Sequence, residues 1–192
     1  MGRMLWGAVL LWAAMGMAQA MSASADARGL ARWVMKSSDH GGRPFAIVDK
    51  KNARMYLFDA TGHLRGASAV LLGQAVGDHS APGVGDHAQS GKVPMHERTT
   101  PSGRFVSEPG RSARGEHIVW VDYESAFAIH RVRPGPSMKH REARLASPTA
   151  RDNRASWGCV VVPVSFYKKV VARYLGHGRG IVYVMPEAGN PG

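Results

Sequence analysis

Short apolar runs separated by polar turns fill the middle of the chain, and this alternation is typical of antiparallel strands. Residues 45–48 and 55–58 are two such runs, and the Asp-Lys-Lys-Asn segment at 49–52 between them has the composition of a tight turn. The same pattern predicts further strands at 65–72, 117–123, 125–130 and 180–185. The chain is therefore expected to form a mainly β domain.

Helical periodicity is clear in one segment and weaker in two others. Apolar residues at spacings of three, four and seven predict an amphipathic helix over 163–175, which Gly176 ends. Residues 131–154 are rich in Arg, Pro and Ser, which predicts a long loop or a short helix over 139–145. Residues 21–42 are predicted as a loosely ordered or helical lead-in, and 73–91 as a glycine-rich loop.

The first twenty residues have the layout of a secretory signal peptide. Arg3 precedes an apolar run over 4–15, and Ala18 and Ala20 form a small-x-small cleavage site. The run is shorter than the roughly 20 residues that a membrane-spanning helix needs. We expect residues 1–20 to be removed, residues 43–186 to form one domain, and residues 187–192 to be a loose tail. The mature protein is expected in the periplasm or cell envelope.

Composition fits a globular protein with an anionic partner. The 192 residues are 44% hydrophobic and carry a net charge of +11. Nucleic acid or anionic envelope polymers and lipid head groups would suit this charge. No basic segment is interleaved with aromatic residues as base stacking requires, so peripheral contact with the envelope is expected and nucleic acid is not.

Cys159 is the only cysteine, so it cannot form a disulfide within the chain. A lone exported cysteine is a buried spectator, an intermolecular partner or a reactive thiol. It lies in 156–160, ahead of the predicted helix, whose N-terminal partial charge can lower the pKa of a thiol. His130 ends an apolar strand, and histidine is the usual base for a thiol nucleophile. Spacing alone does not bring the two together, and an edge-strand histidine is the structural alternative.

These residues resemble the catalytic domain of the L,D-transpeptidases, the YkuD-like family. The order of a strand that ends in His130, a loop, and Ser156-Trp157-Gly158-Cys159-Val160 is similar to the family's fingerprint. Residues 100–105, Thr-Pro-Ser-Gly-Arg-Phe, resemble its Thr-Pro-x-Gly-x-Phe element, and the hairpin over 47–58 resembles its opening hairpin. The resemblance covers essentially the whole predicted domain.

The resemblance implies a YkuD-like β-sandwich with a short helix after the cysteine motif. It implies a cysteine L,D-transpeptidase that acts on peptidoglycan stem peptides as a monomer, with no metal and no cofactor. Cys159 would be the nucleophile and His130 the general acid/base, while Ser156 and Gly158 would complete the motif and backbone N–H groups around Gly158 and Cys159 would stabilise the oxyanion. The alternatives are an L,D-carboxypeptidase, a non-catalytic wall-binding module, and a basic polymer binder with an inert cysteine.

The chain departs from the family pattern at several positions. Trp157 and Val161 stand where the family usually has His and Arg or Asn. His130 and Cys159 lie 29 residues apart (159 − 130), a longer gap than usual, and His140 is nearer to the usual spacing but does not end a strand. The Arg-rich insertion is interpreted either as a solvated basic loop or as a lid that binds carboxylates, with Arg154 and Trp157 as the predicted substrate contacts.

Overall fold

Strands dominate the computed structural model, which describes residues 23–187. The predicted signal peptide and residues 188–192 of the predicted tail lie outside this range. The strands are β1 (Phe45–Asp49), β2 (Arg54–Phe58), β3 (Leu64–Ala69), β4 (Leu72–Gly73), β5 (Gly103–Arg111), β6 (His117–Asp122), β7 (Phe127–Arg131), β8 (Arg154–Ser156), β9 (Val160–Val162) and β10 (Gly180–Val184).

The helices are few and short. They are α1 (Ala25–Ser37), α2 (Val84–Ser90), α3 (Met138–Ala146) and α4, which runs through Val164–Phe166, a π-helical turn at Tyr167–Val171, and Ala172–Leu175. Single 3-10 turns lie at Met95–Glu97 and Ala150–Asn153. None of the helices described between residues 23 and 187 has the length and apolar character needed to cross a membrane.

Eight strands form one sheet in the order β3-β2-β1-β10-β5-β6-β7-β9. The pairs β1–β10 and β7–β9 are parallel and the other neighbours are antiparallel. Leu71, just after β3, exchanges two backbone hydrogen bonds with Val161 of β9, at 2.8 and 2.9 Å. The two outer strands are thus joined and the sheet nearly closes on itself, which confirms the predicted mainly β class.

The main core fills the enclosed side of the sheet. Tyr167, Val171 and Leu175 of α4 pack there against strand residues such as Leu57 and Val182. These three are members of the apolar stripe from which the helix over 163–175 was predicted, and that prediction is confirmed. The two predicted strands nearest the ends of the domain, at 45–48 and 180–185, pair in parallel at the centre of the sheet.

The lead-in segment is an ordered helix that contributes to a second core. Ala27 and Val34 of α1 are fully buried against the opposite side of the sheet, where they join Phe45 and Tyr183. The Ser24 hydroxyl caps α1 by accepting the Ala27 N–H at 3.1 Å, and it donates to Asp49 at 2.7 Å. The residue that caps α1 therefore also connects the helix to Asp49, the last residue of β1.

Two predictions for the long connections have different outcomes. The helix predicted over 139–145 is confirmed as α3. The loop predicted over 73–91 is wrong for its second half, where α2 forms between Gly83 and Gly91. The two glycines have left-handed φ values of 74° and 72°, which glycine adopts without strain. They mark the beginning and the end of a helix that has no apolar periodicity of its own.

Candidate active site

The strand register brings Cys159 and His130 to the same side of the sheet. β7 and β9 are parallel, and Ile129 lies opposite Val160 while His130 lies opposite Val161. Cys159 comes directly before β9, two residues ahead of Val161. Because side chains alternate along a strand, Cys159 points to the side that His130 also occupies. Residues that are 29 apart in the chain thus become near neighbours on adjacent strands.

His130 is a buried, neutral imidazole. Its side chain is 6% exposed, and Nδ1 lies 2.8 Å from the Arg131 carbonyl oxygen. A carbonyl only accepts hydrogen bonds, so Nδ1 carries the proton and Nε2 keeps its lone pair. Burial, reinforced by the positive charge of Arg133, lowers the pKa of His130 to about 4. At neutral pH the ring can therefore accept a proton at Nε2.

Cys159 is a half-buried, protonated thiol. Burial raises its pKa, and a backbone hydrogen bond at Ala128 and the charge of Arg133 offset this only in part. The Sγ atom donates to the Ala126 carbonyl oxygen at 3.5 Å. The expectation that a helix N-terminus lowers the pKa of this thiol is wrong, because β9 separates Cys159 from α4. The resting pair is a neutral thiol and a neutral imidazole.

The Ala126 carbonyl, which accepts the hydrogen bond from the Cys159 thiol, belongs to a strained turn. Ala126 has φ 53°, a left-handed conformation that is uncommon for alanine, and its N–H donates to Tyr123 at 3.1 Å. Helix α2 packs against this turn so closely that a Cβ on Gly85 would lie 2.0 Å from the Glu124 carbonyl oxygen. The helix that the sequence did not predict thus supports the turn beside the thiol.

Two hydroxyl groups fix the backbone of the cysteine loop. Ser156 Oγ donates to the Cys159 carbonyl at 2.6 Å and accepts the Gly158 N–H at 3.2 Å. Thr100 Oγ1 donates to the Gly158 carbonyl at 2.8 Å, and it accepts the Gly73 N–H at 2.8 Å. Two of the sequence elements that carried the resemblance, residues 100–105 and 156–160, are thus hydrogen-bonded to each other. The Gly158 N–H is used within the loop, which argues against its expected role as an oxyanion donor.

Gly158 is required for this loop, which gives a stability prediction. Its φ is +127°, and a Cβ there would lie 2.7 Å from the Thr99 carbonyl oxygen. We expect Gly158→Ala to lower the free energy of unfolding by about 1–3 kcal/mol through backbone strain. Gly178→Ala is the control, since Gly178 has open space around it. Equal urea midpoints for the two variants would contradict this account of the loop.

Trp157 presents an exposed indole ring next to the cysteine loop. Its side chain is 46% exposed, and the Arg98 guanidinium lies over the indole, with Cζ 4.9 Å from the ring centroid. Arg98 is fixed by hydrogen bonds to the Val93 carbonyl at 2.9 Å and to Gln74 at 2.6 Å. The role of Trp157 as a substrate contact stays a prediction. Sequence reasoning missed Arg98, whose only signal was its place two residues before Thr100.

Arg154 has a partner inside the protein. Its Nη2 atom lies 2.6 Å from Glu187 Oε1 and 3.4 Å from the Lys50 carbonyl, and its side chain is only 13% exposed. Lys50, fully buried, forms an ion pair with Asp78 at 2.6 Å in the same cluster. Arg154 is thus placed for an internal ion pair rather than for the predicted substrate contact. Within residues 23–187, no three His, Cys, Asp or Glu side chains are grouped as a metal site.

Helix α3 of the Arg-rich insertion packs on the apolar cluster beside the cysteine. Met138 and Leu145 of α3 pack with Leu71, Val132 and Val161, and Cys159 borders the same apolar cluster. His140 of α3 is exposed and lies 3.5 Å from Arg144 through its Nε2 atom. The role of the insertion as a lid stays a prediction, and the exposure of His140 favours His130 as the base.

Burial of neutral His130 predicts an acid-dependent loss of stability. The folded-state pKa of about 4 lies below the ordinary value of about 6.5, so the unfolded chain binds more protons between these pH values. Stability should be fully present above pH about 6.5 and should fall by up to about 3 kcal/mol as pH approaches 4. Urea unfolding of His130→Gln should lack this slope, whereas His96→Gln, at a site 83% exposed, should keep it. An unchanged slope in His130→Gln would contradict the assignment.

Comparisons with known proteins leave the site to be interpreted from its geometry. No protein-family model matches the chain, and no curated protein matches it significantly.

Proposed function

We propose that the protein is an exported cysteine L,D-transpeptidase that acts on peptidoglycan stem peptides. The observation that carries the proposal is the placement of Cys159 and His130 on one side of neighbouring strands, with the cysteine loop hydrogen-bonded to Thr100. The proposal assigns His130 Nε2 as the base for the thiol, because Nδ1 is bound to the Arg131 carbonyl and histidine is the usual base for a cysteine nucleophile. The resemblance supplies the substrate class, and the exposed indole of Trp157 is the proposed contact for a peptide.

The acylation step follows from the two neutral groups. His130 Nε2 takes the thiol proton while Sγ attacks the carbonyl carbon of the L,D-peptide bond in the donor stem. The thiol must first leave its hydrogen bond to Ala126. When the tetrahedral intermediate collapses, the C–N bond breaks, its electron pair stays on nitrogen, and His130 returns the proton to the departing D-amino acid. Cys159 then carries the donor as a thioester.

The second step restores the thiol. The amine of a second stem peptide attacks the thioester carbon and gives a proton to His130, and the C–S bond breaks with its electrons on sulfur. The sulfur then takes the proton back from the imidazole. Since the pKa of His130 is depressed, the protonated ring gives up its proton more readily than an ordinary imidazolium, and the neutral ring is a correspondingly weaker base toward the thiol.

A non-catalytic wall-binding module is the second candidate. It is favoured by the raised pKa of the Cys159 thiol and by the hydrogen bond that the thiol makes to Ala126 instead of to the imidazole. In that case the cysteine loop and α3 would serve only to maintain the fold.

Product analysis separates these candidates. The full chain is incubated with a stem tetrapeptide, with and without a second peptide that offers a free amine, and the products are identified by mass. A cross-linked dimer that forms only with the acceptor supports transpeptidation. A tripeptide and free D-amino acid alone indicate a carboxypeptidase. Unchanged tetrapeptide in both reactions would overturn the enzyme proposal and favour the binding module.

A further inference from the structure

Helix α1 carries a row of basic side chains on its outward face. Arg28, Arg32 and Lys36 are exposed and follow one another at intervals of four residues, which places them along one side of the helix. Among residues 23–187, Arg32 and Lys36 make no side-chain hydrogen bond and no ion pair, whereas Arg28 donates to the Ala23 carbonyl oxygen. Asp26 is the only acidic residue of α1, so the helix has a net charge of +2 (3 − 1).

Trp33 lies beside this row and is 53% exposed. It follows Arg32 directly and lies one turn before Lys36, so the indole and the two cations share one surface. Trp33 also borders a cavity of about 680 Å³ between α1 and the sheet, where Leu30 and Met185 contribute further apolar lining. The basic row of α1 is therefore flanked by an exposed aromatic side chain and an apolar hollow.

The apolar face of α1 is already occupied by the protein itself. Ala27 and Val34 are fully buried against the sheet, so this face cannot turn toward another partner. A partner must meet the outward face, which offers cations without partners together with an exposed indole. An anionic bilayer surface suits both features, because its phosphates attract basic side chains and its interfacial zone accommodates tryptophan. A soluble anionic polymer would need only the cations.

We propose that the outward face of α1 attaches the protein peripherally to an anionic phospholipid bilayer. Arg32 and Lys36 bind head-group phosphates, and Trp33 enters the interface between the head groups and the acyl chains. The net charge of +11 on the whole chain favours the approach to such a surface. The attachment involves neither Cys159 nor His130, so it does not depend on the proposed reaction.

Vesicle sedimentation tests this attachment. The exported protein is mixed with phosphatidylcholine vesicles that contain either no phosphatidylglycerol or about 30% of it, and the bound fraction gives a partition coefficient. We expect binding only to the anionic vesicles, and weaker binding as the salt concentration rises. The double variant Arg32→Gln/Lys36→Gln should lower the coefficient about 25-fold, since each basic residue near an anionic surface contributes roughly a factor of five. Trp33→Ala should lower it about five-fold or more, and Trp33→Phe should retain most of it.

A second pair of lysines supplies the matched control. Lys168 and Lys169 are exposed on α4, which packs on the opposite side of the sheet from α1. Lys168→Gln/Lys169→Gln removes the same charge and should change the coefficient by less than about two-fold, because distant exposed charges are screened.

Two results would overturn the proposal. Equal reductions in the two double variants would show that net charge alone governs binding. An unchanged coefficient in Trp33→Ala would indicate a surface for a soluble anionic polymer instead of a bilayer. All the substituted positions are exposed, so the variants should unfold near the midpoint of the unaltered protein. Sedimentation needs no turnover, so a missing transpeptidase activity would leave the result interpretable.

Discussion

Replacing Cys159 with alanine is expected to abolish the cross-linking of stem peptides, with a loss of turnover on the order of a thousand-fold or more. No other thiol exists in the chain, so none can form the thioester. The fold should survive, because Cys159 is half-buried and only borders its apolar cluster. The rate of product formation and the thermal unfolding midpoint measure the two effects separately.

Cys159→Ser is the control for this prediction. Serine keeps the size of the side chain and a donor for the Ala126 carbonyl, but its hydroxyl is a much weaker nucleophile at neutral pH. Both variants should therefore be inactive while they unfold near the midpoint of the unaltered protein. More than about a tenth of the original turnover in either variant would contradict the role of the thiol.

The largest stability effect is expected from Lys50→Met. The ammonium group of Lys50 is fully buried and donates to Gly77 O at 2.7 Å, Asp78 Oδ1 at 2.6 Å and Thr100 O at 2.9 Å. Burial acts to raise the pKa of Asp78, but the hydrogen bonds from Lys50 and from the Glu187 N–H, together with the positive charge of Lys50, lower the pKa overall, so this carboxylate stays charged. Removing the cation leaves that charge unpaired, and we expect a loss of about 3–5 kcal/mol in urea unfolding.

Lys51 supplies a matched control at the next position. Its side chain is exposed, so Lys51→Met should change the free energy of unfolding by less than about 0.5 kcal/mol. Because Thr100 also holds the Gly158 carbonyl, Lys50→Met should in addition disturb the cysteine loop and alter the alkylation rate of Cys159. Similar losses of stability in the two variants would contradict a supporting role for the buried ammonium.

Local patterns predicted the parts of the fold that depend on local periodicity. The alternating apolar runs gave the strands from β1 to β3, and the apolar stripe gave α4, because burial of one face imposes a period on the sequence. Helix α2 lacks such a period. It forms between two glycines, and its glycine at position 85 packs against the turn at Glu124, a contact that only the tertiary structure creates.

The sequence singled out the two central residues of the candidate site but not its charge network. His130 and Cys159 stood out because the strand-end histidine and the only cysteine occur in the order of the family's fingerprint. The sequence offers no reason to separate Lys50 from Lys51, since both lie in one polar turn and the acceptors of Lys50 lie up to 50 residues away. Arg154 is predicted from the sequence as a substrate contact, yet its partner, Glu187, lies 33 residues away in the chain.

The trapped acyl-enzyme is the most direct test of the central claim, that Cys159 carries the donor peptide. The full chain is mixed with a stem tetrapeptide in the absence of an acceptor, quenched in acid, and examined by intact mass and peptide mapping. We predict an added mass equal to the tetrapeptide minus the departing D-amino acid, located on the peptide that contains Cys159 and absent from Cys159→Ala. An unmodified protein, or an adduct that persists in Cys159→Ala, would contradict the account.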